Sequence, residues 1–171
     1  MKPTKQAIGS SSENRFAAVR REDLSDAEQS SLIGLALEIL AARHKPGTSL
    51  SSPLKTRQYL QLALGSYKNE VFGAVFLDSR HRVLAFEELF FGTIDGTAVY
   101  PRVVVQRALE LNAAAVIFTH NHPSGVAEPS RADEILTQRL KDALAVVDVR
   151  VLDHIIVTSV KTISFAERGL L

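Results

Sequence analysis

Two histidines and one aspartate in "FTHNHPSGVAEPSRADEIL", residues 118 to 136, have the side chains that bind a divalent metal ion. His120 and His122 stand one residue apart in a run that reads as a β-strand, so both side chains point to the same face. Asp133 follows Ser130 in what the pattern predicts as the first turn of a helix. Two imidazoles and a carboxylate leave one coordination position open, as in catalytic zinc sites, where bound water has a pKa of about 7.

The chain has no cysteine, so any metal must be held by nitrogen and oxygen atoms. These ligands predict one Zn²⁺ per chain, with Fe²⁺, Mn²⁺ or Co²⁺ as other occupants. Taken singly, each signal has a simpler explanation: Ser130 with Asp133 is also a helix-capping pair, and His120 with His122 could be ordinary residues at a strand end. All of them occur within residues 120 to 133, and this joint occurrence favours the metal site.

The N-terminal third predicts two helices behind a polar tail. Residues 1 to 14 are rich in Ser, Lys and Asn and are predicted to be disordered. Ser25 and Glu28 form a capping box that opens the first helix, and "KPG" at 45 to 47 ends it. Ser52 caps the second helix, Pro53 is its first residue, and Gly65 marks its end. The buried faces are predicted from helical spacing to hold Leu32, Leu35, Ala36, Ile39 and Leu40 in the first helix, and Leu60, Leu64 and Tyr67 in the second.

The rest of the chain mixes strands and helices. "EVFGAVFLDSRHRVLAFEELFFGT" predicts two strands joined by a turn near 79 to 81, and a helix starts near Pro101. The strand "AAAVIFTHNH" ends at Pro123, which cannot continue a ladder. An amphipathic helix, a strand "VRVLDHIIVTS" and a short strand in "TISFAERGLL" follow. The apolar side of that helix is predicted to hold Ile135, Leu136, Leu140, Ala143, Leu144 and Val147.

These elements predict a mixed α/β fold with a single mixed sheet flanked by helices. A short N-terminal helical extension over residues 15 to 50 precedes the main domain at 51 to 171. The histidine pair would then lie at a strand end, where clefts form in sheets flanked by helices.

The stretch "HNHPSGVAEPSRAD" has the form H-x-H, seven residues, S, two residues, D, which is the JAMM signature of MPN-domain metalloproteases. The version "THNHPSG", with "VYPRVVVQRALELNAAAVIF" before it and "DHIIV" after it, resembles the RadC branch over roughly residues 55 to 171. The resemblance implies an MPN/JAB sandwich of cytidine-deaminase-like architecture. It also implies that His120, His122 and Asp133 are zinc ligands, and that Ser130 hydrogen-bonds the tetrahedral intermediate.

The family also supplies a glutamate at the start of an early apolar strand, which carries the proton from the metal-bound water to the leaving amine. Glu70 stands at this place, 50 residues before His120, and Glu87 and Glu88 are alternatives. His154 lies within an apolar strand. A histidine there is either structural or a hydrogen-bonding partner of a metal ligand.

The resemblance and the ligand pattern predict a zinc-dependent hydrolase, similar to a metallopeptidase or isopeptidase, that acts on a peptide or protein. The alternative is a non-catalytic DNA-repair or mobile-element accessory module that binds DNA or protein partners. Its local support is the basic segment 2 to 21, although the net charge of +1 gives no general argument for nucleic acid or membranes. We expect a cytoplasmic protein, because there is no cysteine, no secretory leader pattern and no apolar run of about 18 residues.

Overall fold

The computed structural model describes residues 16, 18 to 43 and 53 to 171. After a 3-10 turn at Arg21–Asp23, five helices and five strands follow along these residues. The helices are α1 (Asp26–Arg43), α2 (Pro53–Leu64), α3 (Pro101–Glu110), α4 (Arg131–Ala145) and α5 (Phe165–Arg168). The strands are β1 (Val71–Leu77), β2 (Val83–Phe91), β3 (Ala115–Asn121), β4 (Arg150–Val157) and β5 (Thr162–Ser164). No helix among the described residues is both long and apolar enough to cross a membrane.

The five strands form one mixed sheet in the order β2-β1-β3-β4-β5. β3 and β4 run parallel and are joined by the crossover helix α4, whereas the other neighbouring pairs are antiparallel. This arrangement confirms the predicted mixed α/β fold. β3 lies in the centre, so its C-terminal end is flanked by β1 on one side and β4 on the other.

β1 is buried over its whole length because helices cover both faces of the sheet. Phe72, Ala74 and Phe76 pack into the core on one face, which α3 and α4 complete with Val104, Ala108, Leu140 and Leu144. Val71, Val75 and Leu77 face the other way and pack under α2 against Leu60 and Leu64. A nearly continuous apolar strand is the expected sequence for this two-sided burial.

The capping box that opens α1 is confirmed: the backbone N–H of Ser25 donates to Glu28 Oε2 at 2.9 Å. The predicted buried face of α1 is wrong in part, because Leu35 and Ile39 are 44% and 45% exposed. In the described part of the chain α1 packs on α2, which covers only one side of the helix. The predicted tail at 1 to 14, the "KPG" stop, the Ser52 cap and the side chain of Leu40 lie outside the described residues.

Two further predictions need correction. Tyr67 follows the end of α2 and is exposed, and Ile135 on α4 is 57% exposed. Ile135 lies near Leu136 in sequence, but the 100° step between neighbouring helical residues turns it away from the sheet. The short strand predicted in the last segment is confirmed as β5. It leads into the helix α5, whose N-cap Ser164 accepts a hydrogen bond from the N–H of Glu167.

Candidate metal centre

The C-terminal end of β3 carries the two histidines. His120 pairs with Phe72 of β1 and with Ile156 of β4, so neighbouring strands hold its backbone on both sides. His122 lies just after β3, and its N–H still donates to the carbonyl of Val157 at 2.8 Å. The strand geometry therefore continues through His122 and keeps both imidazoles on one face of the sheet.

The start of α4 brings Asp133 to the same place. Ser130 is the N-cap, and its Oγ accepts a hydrogen bond from the Asp133 N–H at 3.1 Å. In return, Asp133 Oδ2 accepts hydrogen bonds from the N–H and the hydroxyl of Ser130, each at 2.7 Å. This reciprocal capping box fixes the direction of the Asp133 carboxylate. Asp133 thus belongs both to the predicted cap and to the predicted set of metal ligands.

The ligand atoms of His120, His122 and Asp133 converge within 4.8 Å of one another. The two Nε2 atoms are 2.9 Å apart, and His120 Nε2 lies 3.3 Å from Asp133 Oδ1. His122 Nε2 lies 3.6 Å from Asp133 Oδ2. A tetrahedral zinc ion with bonds of about 2.0 to 2.1 Å holds neighbouring donor atoms about 3.3 Å apart. The three side chains are thus close enough together to hold one such ion.

The hydrogen bond on the far side of the His122 ring fixes which nitrogen carries the proton. His122 Nδ1 lies 2.7 Å from the carbonyl oxygen of Val126, which can only accept. The proton of the neutral ring therefore sits on Nδ1. The lone pair is on Nε2, which faces Asp133 and His120.

A longer chain of hydrogen bonds gives His120 the same tautomer. The Thr137 hydroxyl donates to the Asp133 carbonyl at 2.6 Å, so its oxygen accepts from His154 Nδ1–H, also at 2.6 Å. His154 Nε2 must then accept the proton of His120 Nδ1, at 2.8 Å. This leaves the lone pair of His120 on Nε2, toward the centre. Such partners orient a ligating imidazole and raise its basicity.

The electrostatics of the centre favour a bound cation. Burial alone would raise the pKa of the Asp133 carboxyl, but the adjacent His120 and His122 rings, in their protonated form, hold it well below its ordinary value. Asp133 raises the pKa of His122 because it accepts a hydrogen bond from the protonated ring, and the charge of Glu70 adds a smaller effect. Complete burial holds the pKa of His154 well below its ordinary value, so this ring is neutral. The centre thus attracts positive charge, which a divalent metal ion would supply.

The three side chains open into a cleft of about 470 Å³. Glu70, directly before β1, lines it together with Ser130 and Asp95. None of the described residues that line the cleft is Lys or Arg. An apolar wall completes it, formed by Phe72, Ile94, Val99 and Leu136.

The segment between β2 and α3 forms the wall next to Glu70. The N–H of Glu70 donates to the Thr93 carbonyl at 2.7 Å, and the N–H of Gly92 donates to the Glu70 carbonyl at 2.8 Å. A Cβ on Gly92 would lie 2.2 Å from the Gly96 carbonyl oxygen, so only glycine allows the segment to fold back this closely.

The other two glutamates considered as proton carriers are engaged elsewhere. Arg107 Nε and Nη2 donate to the Glu87 carboxylate at 2.7 and 2.6 Å. The Tyr67 hydroxyl donates to Glu88 at 3.0 Å. Neither glutamate lines the cleft, whereas Glu70 does.

Two residues that bear on the centre, Thr137 and Asn121, are not among the site residues predicted from the sequence. Thr137 stands four residues after Asp133, and a polar residue on the buried side of an amphipathic helix is a usable signal. The role of Asn121, whose side chain lies on the other face of β3, depends on contacts with residues some 50 positions away, which no local pattern reports.

Comparison with known proteins gives consistent matches. Residues 50 to 170 match the model of the RadC-like JAB domain. A UPF0758 protein of Nitrosococcus oceani is 68% identical over 127 residues, covering 74% of this chain and 57% of the relative. A UPF0758 protein of Methylibium petroleiphilum is 59% identical over 145 residues, covering 85% and 65%. One from Halorhodospira halophila is 56% identical over 161 residues, covering 91% and 70%. The chain thus spans about three-fifths of the length of the first two relatives.

Proposed function

The chain belongs to the RadC-like JAB domain family, and on this basis we propose that it is a zinc-dependent hydrolase that cleaves an amide bond in a peptide or protein. The observation that carries the proposal is the convergence of His120, His122 and Asp133 at the base of a cleft that Glu70 also lines. Three protein ligands with one open position distinguish catalytic from structural zinc sites.

A zinc ion at this centre would polarise the scissile carbonyl and lower the pKa of a bound water. Glu70 would accept a proton from that water and pass it to the leaving amine. The Ser130 hydroxyl, which lines the same cleft, would donate a hydrogen bond to the oxyanion that develops on the substrate carbonyl. A hydroxyl can rotate between partners, so its bond to Asp133 does not prevent this.

The charges in the cleft support an amide substrate over a phosphodiester. Glu70, Asp95 and Asp133 line the cleft, and none of its described lining residues is basic. Phosphate groups are usually bound by Arg, Lys or a second metal ion. The described residues contain one group that can hold a metal ion. The apolar wall at Ile94, Val99 and Leu136 would take an uncharged side chain next to the scissile bond.

A substrate screen with one substitution tests the proposal. Zinc-loaded protein is incubated with an internally quenched peptide library and with a matching set of lysine-ε-linked isopeptides. Glu70→Gln should lower kcat on any substrate found by about 10²- to 10⁴-fold, the usual contribution of a general base, while bound zinc is retained. Glu88→Gln is the matched control, because Glu88 is held by Tyr67 outside the cleft.

Two outcomes would count against the proposal. Unchanged turnover in Glu70→Gln would mean that Glu70 is not the proton carrier. Cleavage that persists at the full rate after zinc is removed would mean that the metal centre takes no part in the reaction.

A further inference from the structure

Asn121 stands between the two histidines, and its side chain points to the opposite face of β3. It is only 2% exposed, and its amide makes three hydrogen bonds there. Oδ1 accepts from the Val71 N–H at 2.7 Å. Nδ2 donates to the carbonyls of Asn69 at 3.0 Å and Tyr67 at 3.3 Å. One N–H partner and two carbonyl partners define the orientation of the amide unambiguously.

Two of these partners belong to the peptide groups on either side of Glu70. The Asn69 carbonyl is in the peptide group before Glu70, and the Val71 N–H is in the one after it. The ladder between β1 and β3 ends at Phe72 and His120, so the side chain of Asn121 takes over where backbone pairing stops. It thereby ties the two peptide groups that flank Glu70 to the strand that carries His120 and His122.

We propose that Asn121 is a positioning residue that sets where the Glu70 carboxylate lies relative to His120 and His122. The catalytic part of this inference rests on the proposed function. A proton carrier must be held within about 0.5 Å of its productive place, and a displacement of about 1 Å can cost a hundredfold in rate. Aspartate has the same shape, but its carboxylate would face two carbonyl oxygens in a buried site. Serine and alanine are too short to reach all three partners.

Backbone amide exchange tests the positioning without any substrate. In Asn121→Ala, exchange at the Val71 amide should become about tenfold faster or more, because its hydrogen bond is lost. Bound zinc and exchange at Phe76, deeper in β1, should not change. Thr119→Val is the matched control: Thr119 is fully buried two residues earlier on the same face, and Thr119 Oγ1 has no hydrogen-bond partner among the described residues.

Unchanged exchange at Val71 in Asn121→Ala would overturn the positioning role, and so would loss of zinc with Val71 still protected. Should Asn121→Ala fail to fold, Asn121→Ser, which keeps a small polar side chain, is measured in the same way.

Turnover of a peptide found in the quenched library tests the catalytic part. Asn121→Ala should lower kcat by about 10- to 100-fold, and the double variant with Glu70→Gln should be no slower than Glu70→Gln alone. A double variant that loses the full product of both factors would mean that Asn121 does not act through Glu70. The two proposals can fail separately. If the wild-type protein cleaves no substrate but exchange at the Val71 amide is faster in Asn121→Ala, the proposed function is wrong and the positioning of the Glu70 backbone by Asn121 is supported.

Discussion

Thr137 decides which nitrogen His120 presents to a metal ion, although it lies two hydrogen bonds away from the centre. The Thr137 hydroxyl donates a hydrogen bond to the Asp133 carbonyl, so its oxygen accepts one from His154 Nδ1–H. His154 Nε2 in turn accepts a hydrogen bond from His120 Nδ1–H. Asp133 therefore contributes twice, with its carboxylate at the centre and with its carbonyl at the far end of this chain of hydrogen bonds.

Thr137→Val should weaken zinc binding by about tenfold, the lower end of the effect of removing a partner of a ligating histidine. Valine fills the same space, but it leaves the buried His154 Nδ1–H without an acceptor. Competition with a chromophoric zinc chelator measures the affinity. Thr119→Val, a buried threonine on β3 whose hydroxyl has no partner among the described residues, is the control and should bind zinc as the wild type does. Equal affinities in both variants would contradict the assigned tautomers.

Ser130→Ala should separate capping from catalysis. Loss of the N-cap should cost about 1 kcal/mol of unfolding free energy. Loss of the hydroxyl from the cleft should lower kcat by about 10²-fold or more. Ser25→Ala removes the cap of α1, far from the centre in sequence, and should cost similar stability with no change in kcat. Denaturant unfolding and peptide turnover measure the two effects. Wild-type turnover in Ser130→Ala would mean that Ser130 caps α4 but takes no part in catalysis.

At the scale of the elements, the strand-to-helix connection between β3 and α4 could be predicted from local sequence. The signals that predict it are local: strand alternation, the proline at 123 and the spacing of Ser130 and Asp133. A short stretch of sequence was therefore enough to predict that His120, His122 and Asp133 lie close together. The place of Glu70 beside them depends on the pairing of β1 with β3, where Phe72 lies opposite His120. Such a register is set by the tertiary fold, and only the family resemblance pointed to it.

The errors at Leu35, Ile39 and Ile135 have one physical source. Helical spacing identifies an apolar side, but it does not say what covers that side or how far the cover extends. Leu35, Ile39 and Ile135 were all assigned to buried faces and are exposed. α5 is too short for a periodic pattern, although Ser164 and Glu167 have the spacing of a capping box that could have indicated it.

Two residues of α4 test this account of burial. Leu140 is fully buried in the core with Phe72 and Phe118, so Leu140→Ala should cost about 2 to 5 kcal/mol of unfolding free energy. Ile135→Ala on the exposed side of the same helix should stay within about 0.5 kcal/mol of the wild type. Chemical denaturation measures both. A large loss in Ile135→Ala would mean that a partner surface covers this side of α4.

At the scale of the whole molecule, the candidate metal centre lies at the C-terminal end of β3, in a cleft whose described lining residues include no Lys or Arg. This arrangement supports the proposed peptide substrate rather than DNA. DNA binding by the basic N-terminal segment stays a prediction, because Lys2, Lys5 and Arg15 lie outside the described residues. The matched relatives are longer than this chain.

The zinc content of the purified protein, measured by mass spectrometry after zinc loading and dialysis, tests the central claim most directly. Wild-type protein should hold one zinc ion per chain. Asp133→Ala should hold almost none, because two imidazoles alone make a weak site, and Thr119→Val should match the wild type. A zinc content near zero in the wild type, or an Asp133→Ala protein that still holds one zinc ion per chain, would contradict the metal centre described here.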